Sequence, residues 1–234
     1  MTRALRWDGC LNVRDLGGVP LAGGGETRFG ELVRADSVPH LSEEGWRAFA
    51  EHGIRRVVDL RWPEERADDP PHGVDVEVVH VSLLGPYDPD VDGELPAYIA
   101  ADDVVGFRFD GYTRWLDTHR PRFAEALGAI ADSDGPTVFH CRGGKDRTGL
   151  VAALLLRLAG ASIDDVAADY ALSEANFLTG GEEKATYFVF ATPAEGMART
   201  LAWLEERHGG VEPYLRGCGL DGTLLERLRT RLAA

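Results

Sequence analysis

Sulfur is scarce in this chain: three cysteines, Cys10, Cys141 and Cys218, and two methionines among 234 residues. An odd number of widely spaced thiols, with no Cys-x-x-Cys pair, builds no disulfide framework. A reducing cytoplasmic setting fits that pattern best, with unconventional secretion left open. Positive charge is also in short supply. Lys and Arg total 25 against 39 Asp and Glu, a formal net charge of -14. Nucleic acid would be repelled over most of such a surface. Small anions are not excluded, because one pocket can be positive on an acidic protein. Long apolar runs are missing as well. Met1 to Asp8 has no continuous apolar core of a signal peptide, and nowhere do about 18 apolar residues follow one another, so no membrane span is expected. The Gly-x4-Gly-Lys-[Ser/Thr] of a nucleotide-binding loop is absent too, since Lys145 is followed by Asp146.

The length is sufficient for a substantial core, and one α/β domain over residues 1–234 is the most economical organisation. Strands are expected over Phe29 to Val33, Ile54 to Leu60, Val74 to Leu83 and Pro136 to His140. Ser42 caps an expected helix with Glu43 and Glu44 in its first turn and Gly53 beyond its end. A helix is expected over Tyr112 to Asp132, where Pro121 either lies in its middle or separates two shorter ones. Further helices are expected over Thr148 to Leu158, Ile163 to Ala175, Ala194 to His208, Val211 to Arg216 and Thr223 to Leu232. Residues 85–111, rich in proline and aspartate, read as a loop with short helices or as a cover lining a cleft.

The most specific segment is His140-Cys-Arg-Gly-Gly-Lys-Asp-Arg-Thr-Gly149, between an apolar strand and a helix with a broad apolar face. Strand, glycine-bearing loop and helix N-terminus together form a cradle for a phosphoryl group. Cys141 is the expected nucleophile, its thiolate favoured by backbone N–H groups, the helix field and a guanidinium. Arg147 can grip two phosphoryl oxygens with its planar fork. Gly143 and Gly144 let several amides face one centre. Arg142 and Lys145 add positive charge, and Thr148 is placed to donate its hydroxyl to the sulfur as leaving group. His140 is read as an organiser of the loop rather than a base. The expected step is in-line attack giving a phosphocysteine that water hydrolyses, with no metal and no cofactor.

The same ten residues resemble the signature of the bacterial atypical protein-tyrosine phosphatases. Asn12-Val-Arg-Asp-Leu-Gly-Gly18, Gly30 to Asp36, Ile54 to Arg61 with Glu64 or Glu65 following, and Gly209 to Leu215 are similar to that family's other motifs. The resemblance implies a cysteine-phosphatase α/β fold, with a central mostly parallel sheet flanked by helices and a helical C-terminal third. It also implies activity on phosphotyrosine in proteins or peptides, in some members on phosphoserine, phosphothreonine or phosphoinositide, with inorganic phosphate released. Lys145 moves the loop toward the lipid phosphatases. A non-catalytic phosphate-recognition protein is the alternative from another class.

Proton transfer requires an acid, and three sources stand open: Asp146 inside the loop, Asp59 at a strand end, and another aspartate of 85–111. Asn12, Arg14 and Asp15 are candidates to buttress the loop, with direct substrate contact the alternative for Arg14. Trp62 is a candidate for the entrance. Tyr87, Tyr98, Phe107, Phe109 and Tyr112 are candidates for an aromatic cleft wall, or for ordinary packing.

Overall fold

Four short runs that each carry valine set the centre of the fold, and the helices gather on both of its faces. The computed structural model describes residues 2–69, 76–86, 95–178, 180 and 183–233. Its strands are β1 (Arg14–Asp15), β2 (Leu32–Ala35), β3 (Arg56–Asp59), β4 (Glu77–His80) and β5 (Thr137–His140). They lie in the order β1-β2-β5-β3-β4, so the last strand of the chain occupies the middle of the sheet. Only β1 runs antiparallel, pairing Arg14 with Arg34. The others are parallel, with Val33 opposite Val138, Val58 opposite Phe139 and Val57 opposite Val78.

Strand alternation divides the apolar residues between two cores. Val33, Ala35, Val57 and Val138 pack with Trp7, Val38, Leu41, Phe49 and Ile54 on one face. That face is covered by α1 (Glu43–Glu51), whose N-cap Ser42 accepts from the Gly45 amide at 3.2 Å. Leu32, Val58 and Phe139 point the other way, into the larger core around α6 (Asp146–Ala159). Ala152, Ala153 and the Leu154-Leu155-Leu156 run are all buried there. Gly160, at φ 100°, ends α6.

The intervening helices are α2 (Pro63–Asp68), α3 (Leu95–Ala101), α4 (Val104–Thr118) and α5 (Arg120–Ala131). After α6 come α7 (Ile163–Ala171), α8 (Lys184–Phe190), α9 (Ala194–His208), α10 (Val211–Cys218) and α11 (Gly222–Leu232). The fold is thus α/β, with a mostly parallel sheet and a C-terminal third of helices. Among the described residues no helix is long and apolar enough to cross a membrane.

Several expected boundaries shift for local reasons. The strand expected from Phe29 begins at Leu32, because Phe29 lies across Gly17; a Cβ there would meet Phe29 Cα at 2.5 Å. Helix and proline divide between α4 and α5 at His119, with Pro121 in the first turn of α5, where no amide hydrogen is needed. The helix expected to reach Ala175 ends at Ala171. Residues 95–111 of the suspected cover fold as α3 and the start of α4. Residues 87–94 of that stretch, with Tyr87, lie outside the described residues, as does Val74 of the expected strand.

Candidate active site

The C-terminal ends of the parallel strands point at one loop, the position where open α/β sheets form their sites. Central β5 ends at His140, and residues 141–145 bridge to the first turn of α6. Cys141 is 2 % exposed. The helix N-terminus beyond it supplies unpaired amides and a positive field.

Glycine is required at position 144 on two counts. Its φ is 62°, and a Cβ would stand 2.5 Å from the carbonyl oxygen of Ala35. The loop is therefore pressed against the end of β2. Three of its successive carbonyls are held from that side. Arg142 O accepts from the Ser37 amide at 3.2 Å, Gly143 O from Asn12 Nδ2 at 3.0 Å, and Gly144 O from Arg34 Nη2 at 2.8 Å.

Behind these contacts lies a buried charge cluster. Asp169 of α7 receives Arg14 Nε at 2.9 Å and Arg34 Nη1 at 2.7 Å, and pairs with Arg3. Burial alone would raise the Asp169 carboxyl, but Arg14, Arg34 and Arg3 hold it far below the usual carboxylate range. Arg34 is lowered to about 10 by burial and by Arg14, against the pull of Asp169. Arg14 also donates from Nη1 to Asn12 Oδ1 at 2.7 Å, which fixes the orientation of that amide.

Arg147 is held by Glu65 of α2 through two hydrogen bonds, Nη1 to Oε2 at 2.5 Å and Nη2 to Oε1 at 2.9 Å. Its guanidinium lies over the Trp62 ring, 4.4 Å from the centroid. Burial pushes the Glu65 carboxyl up, but the Arg147 hydrogen bonds and charge outweigh it and leave the group below its ordinary value. Pro63 starts α2, and Glu65 also accepts from the Trp62 amide at 2.8 Å, so the short helix aims this carboxylate.

Asp146 has several partners at once. It accepts from Tyr112 Oη at 2.5 Å and from Lys145 Nζ at 2.6 Å, with Arg108 Nη1 at 3.4 Å. Tyr112 in turn lies 2.6 Å from the Tyr170 hydroxyl. Burial opposes ionisation, yet Lys145 and Arg108 hold the Asp146 carboxyl well below its usual range. Lys145 is itself lowered to about 8, chiefly by burial and against the pull of Asp146. Its ammonium also donates to Val189 O at 2.9 Å, at the end of α8.

The remaining candidates divide between the loop and the scaffold. Arg142 is exposed at the rim, and the Thr148 hydroxyl is buried with no hydrogen-bond partner among the described residues. Such a group is poised to donate within the loop. His140 is buried, its Nδ1 3.2 Å from Cys141 O and its Nε2 3.8 Å from Asp59; burial lowers its pKa despite Asp59. Asp59 lies beside His140 in the sheet. It is fully buried, and Arg61 takes its oxygens at 3.0 and 2.9 Å. Asp15 lies away from the loop, accepting from the amides of Gly17 and Gly30. Tyr98 packs on Phe107, and Phe109 lies beneath Arg199. Those rings pack among the helices, whereas Tyr112 reaches Asp146 through its hydroxyl and the Trp62 ring lies under Arg147. In the 85–111 stretch, Asp103 caps α4 and Asp110 accepts from Tyr98.

The chain is similar in sequence to known proteins. The profile of a family described as the tyrosine phosphatase family matches residues 5–234. The chain belongs to that family. A tyrosine-protein phosphatase of Nostoc commune is 30 % identical over 223 residues, covering 86 % of this chain and 74 % of the relative. The triple specificity protein phosphatase PtpB of Mycobacterium tuberculosis is 25 % identical over 270 residues, covering 94 % and 96 %. Phosphatase activity follows from this membership.

Three contributors to the site escaped reasoning from sequence: Asp169, Arg108 and the pairing of Tyr112 with Tyr170. One signal was available. Arg34 stands in the middle of the apolar run Leu32-Val-Arg-Ala35, and a buried cation there demands a buried carboxylate. Periodicity could not say which one.

Proposed function

We propose that this phosphatase hydrolyses phosphotyrosine in proteins or peptides through a cysteinyl-phosphate intermediate. The observation that carries the reading is the loop itself: Cys141 before it, the fork of Arg147 after it, and its carbonyls turned outward between them. The Sγ lone pair attacks phosphorus as the bond to the tyrosyl oxygen breaks. The leaving oxygen takes a proton, and water later attacks phosphorus, breaking the S–P bond and returning a thiolate with inorganic phosphate. Arg147 and the loop amides meet charge on the equatorial oxygens throughout. Arg142 extends the positive rim, and the Thr148 hydroxyl donates to sulfur as it leaves.

Asp146 is the proton carrier in this reading. Its ionised state suits the second half, in which it takes a proton from the attacking water. For the first half, a bound dianion draws Lys145 toward itself, leaving Asp146 one cation poorer and able to carry a proton. Asp59, with its oxygens spent on Arg61, serves as a structural partner. A single unit over 1–234 belongs to the same reading, supported by the family match over 5–234. So does a reducing, cytoplasmic setting, supported by three free thiols.

Lys145 favours a second reading, a phosphoinositide or broad dual-specificity phosphatase, since a further cation suits a more highly charged substrate. Specificity constants for a phosphotyrosyl peptide and a phosphoinositide on one preparation separate the two. The peptide should be turned over faster; equal or better lipid turnover overturns the first reading in favour of the second.

A further inference from the structure

The carbonyls of Arg142, Gly143 and Gly144 are consecutive, and each is gripped from the same side of the loop by a group of the β1–β2 region: the Ser37 amide, Asn12 and Arg34. In a planar peptide unit the C=O and the following N–H point in opposite directions. Pulling these oxygens toward β2 therefore turns the N–H groups of Gly143, Gly144 and Lys145 the other way. Among the described residues none of those three amides has a protein acceptor. Successive unpaired amides turned to one side form an anion-binding nest.

We infer that Asn12 and Arg34 are positioning residues, which set the amide ring of the phosphate loop by holding its carbonyls from behind. Neither touches the reacting atoms; each fixes one peptide plane. The handholds are themselves anchored. Asn12 presents Oδ1 to Arg14 and to Asn176 at 3.1 Å, leaving only Nδ2 for Gly143, and its own amide is tied to Asp36 at 3.0 Å. Arg34 is held by Asp169 through its other terminal nitrogen. Asn12 is fully buried, so no water can replace it as donor without a rearrangement.

The inference rests on the phosphoryl-transfer reading above, and its test keeps the two separable. Vanadate affinity, phosphate affinity, kcat and KM are measured for wild type, Asn12→Ala and Arg34→Lys, with thermal melting to confirm folding. Arg34→Lys keeps the buried charge beside Asp169 but cannot span Asp169 and Gly144 O as a fork does. Both variants should bind vanadate about 10-fold or more weakly, lose less affinity for phosphate, and lose kcat rather than gain KM, since the amides act most on the transition state. A role confined to packing would lower the melting temperature and leave vanadate affinity and kcat of the folded protein unchanged. Wild-type vanadate binding and turnover with both variants within about twofold of it would overturn the inference. Wild type that neither binds vanadate nor turns over would sink the functional reading instead.

Discussion

Replacing Glu65 by glutamine changes one atom, yet it touches the group that holds Arg147 in place. Both terminal nitrogens of Arg147 donate to this carboxylate, at 2.5 and 2.9 Å. The fork keeps its remaining N–H hydrogens for a phosphoryl group, so Glu65 acts as a brace rather than a competitor. Glutamine offers one acceptor and an NH2 that repels the second guanidinium nitrogen. Hydrogen bonds to charged groups contribute about 1.5–3 kcal/mol and neutral ones about half that. A loss near 1.4 kcal/mol, felt wholly in the transition state, is about a tenfold fall in kcat/KM. Stability carries a second signature. The folded Glu65 carboxyl lies below its unfolded value, burial being outweighed by Arg147. Its contribution is therefore complete above the unfolded carboxylate range and is lost as pH falls through the folded value. The melting-temperature gap between wild type and Glu65→Gln should be widest near neutrality and narrow progressively once pH falls below the unfolded carboxylate value of about 4. Steady-state kinetics at pH 7 and melting curves between about pH 3 and 7 read both effects. Unchanged kcat/KM with a gap independent of pH would refute the bracing role, and faster turnover would make Glu65 a competitor for Arg147.

Lys145 should impose a pH dependence of its own. With its pKa lowered to about 8 by burial, KM for a phosphotyrosyl peptide should rise as pH passes about 8, while Lys145→Met should be high and flat. A wild-type KM constant from about pH 7 to 9 would exclude its charge from binding. Gly144→Ala must push the loop off the Ala35 carbonyl and should cost about 100-fold or more in kcat, read on a variant shown to be folded. Activity close to wild type would mean that the loop tolerates another shape. A strong chelator should leave the rate unaltered; reversible loss, restored by a metal, would contradict a thiolate mechanism.

Much of this was readable because local chemistry and global position agree. His140 to Gly149 combines an apolar strand, two glycines and an alanine- and leucine-rich helix, each of which favours the element it forms. Long helices with clear faces, such as Ala194–His208 with Met197, Leu201 and Leu204 inward, were equally plain. What stayed hidden is pairing over distance. Glu65 and Arg147 are 82 residues apart, and Arg34 and Asp169 are 135 apart. Composition cannot say which of many carboxylates meets which guanidinium. Two short helices, Pro63–Asp68 and Lys184–Phe190, were also missed. Pro63–Asp68 is made by a proline and a returning glutamate rather than by an apolar stripe, and none of its residues is fully buried. Asp15 was grouped with Asn12 and Arg14 by adjacency, yet its carboxylate serves the turns at Gly17 and Gly30.

Sulfur at position 141 should become bonded to phosphorus during turnover. Acid-quenched reaction with p-nitrophenyl phosphate, followed by peptide mass spectrometry, should find one added phosphoryl group on the Cys141 peptide of wild type and none at that position in Cys141→Ala. Full turnover by Cys141→Ala, or a phosphoryl group found on another side chain of the wild-type protein, would contradict it.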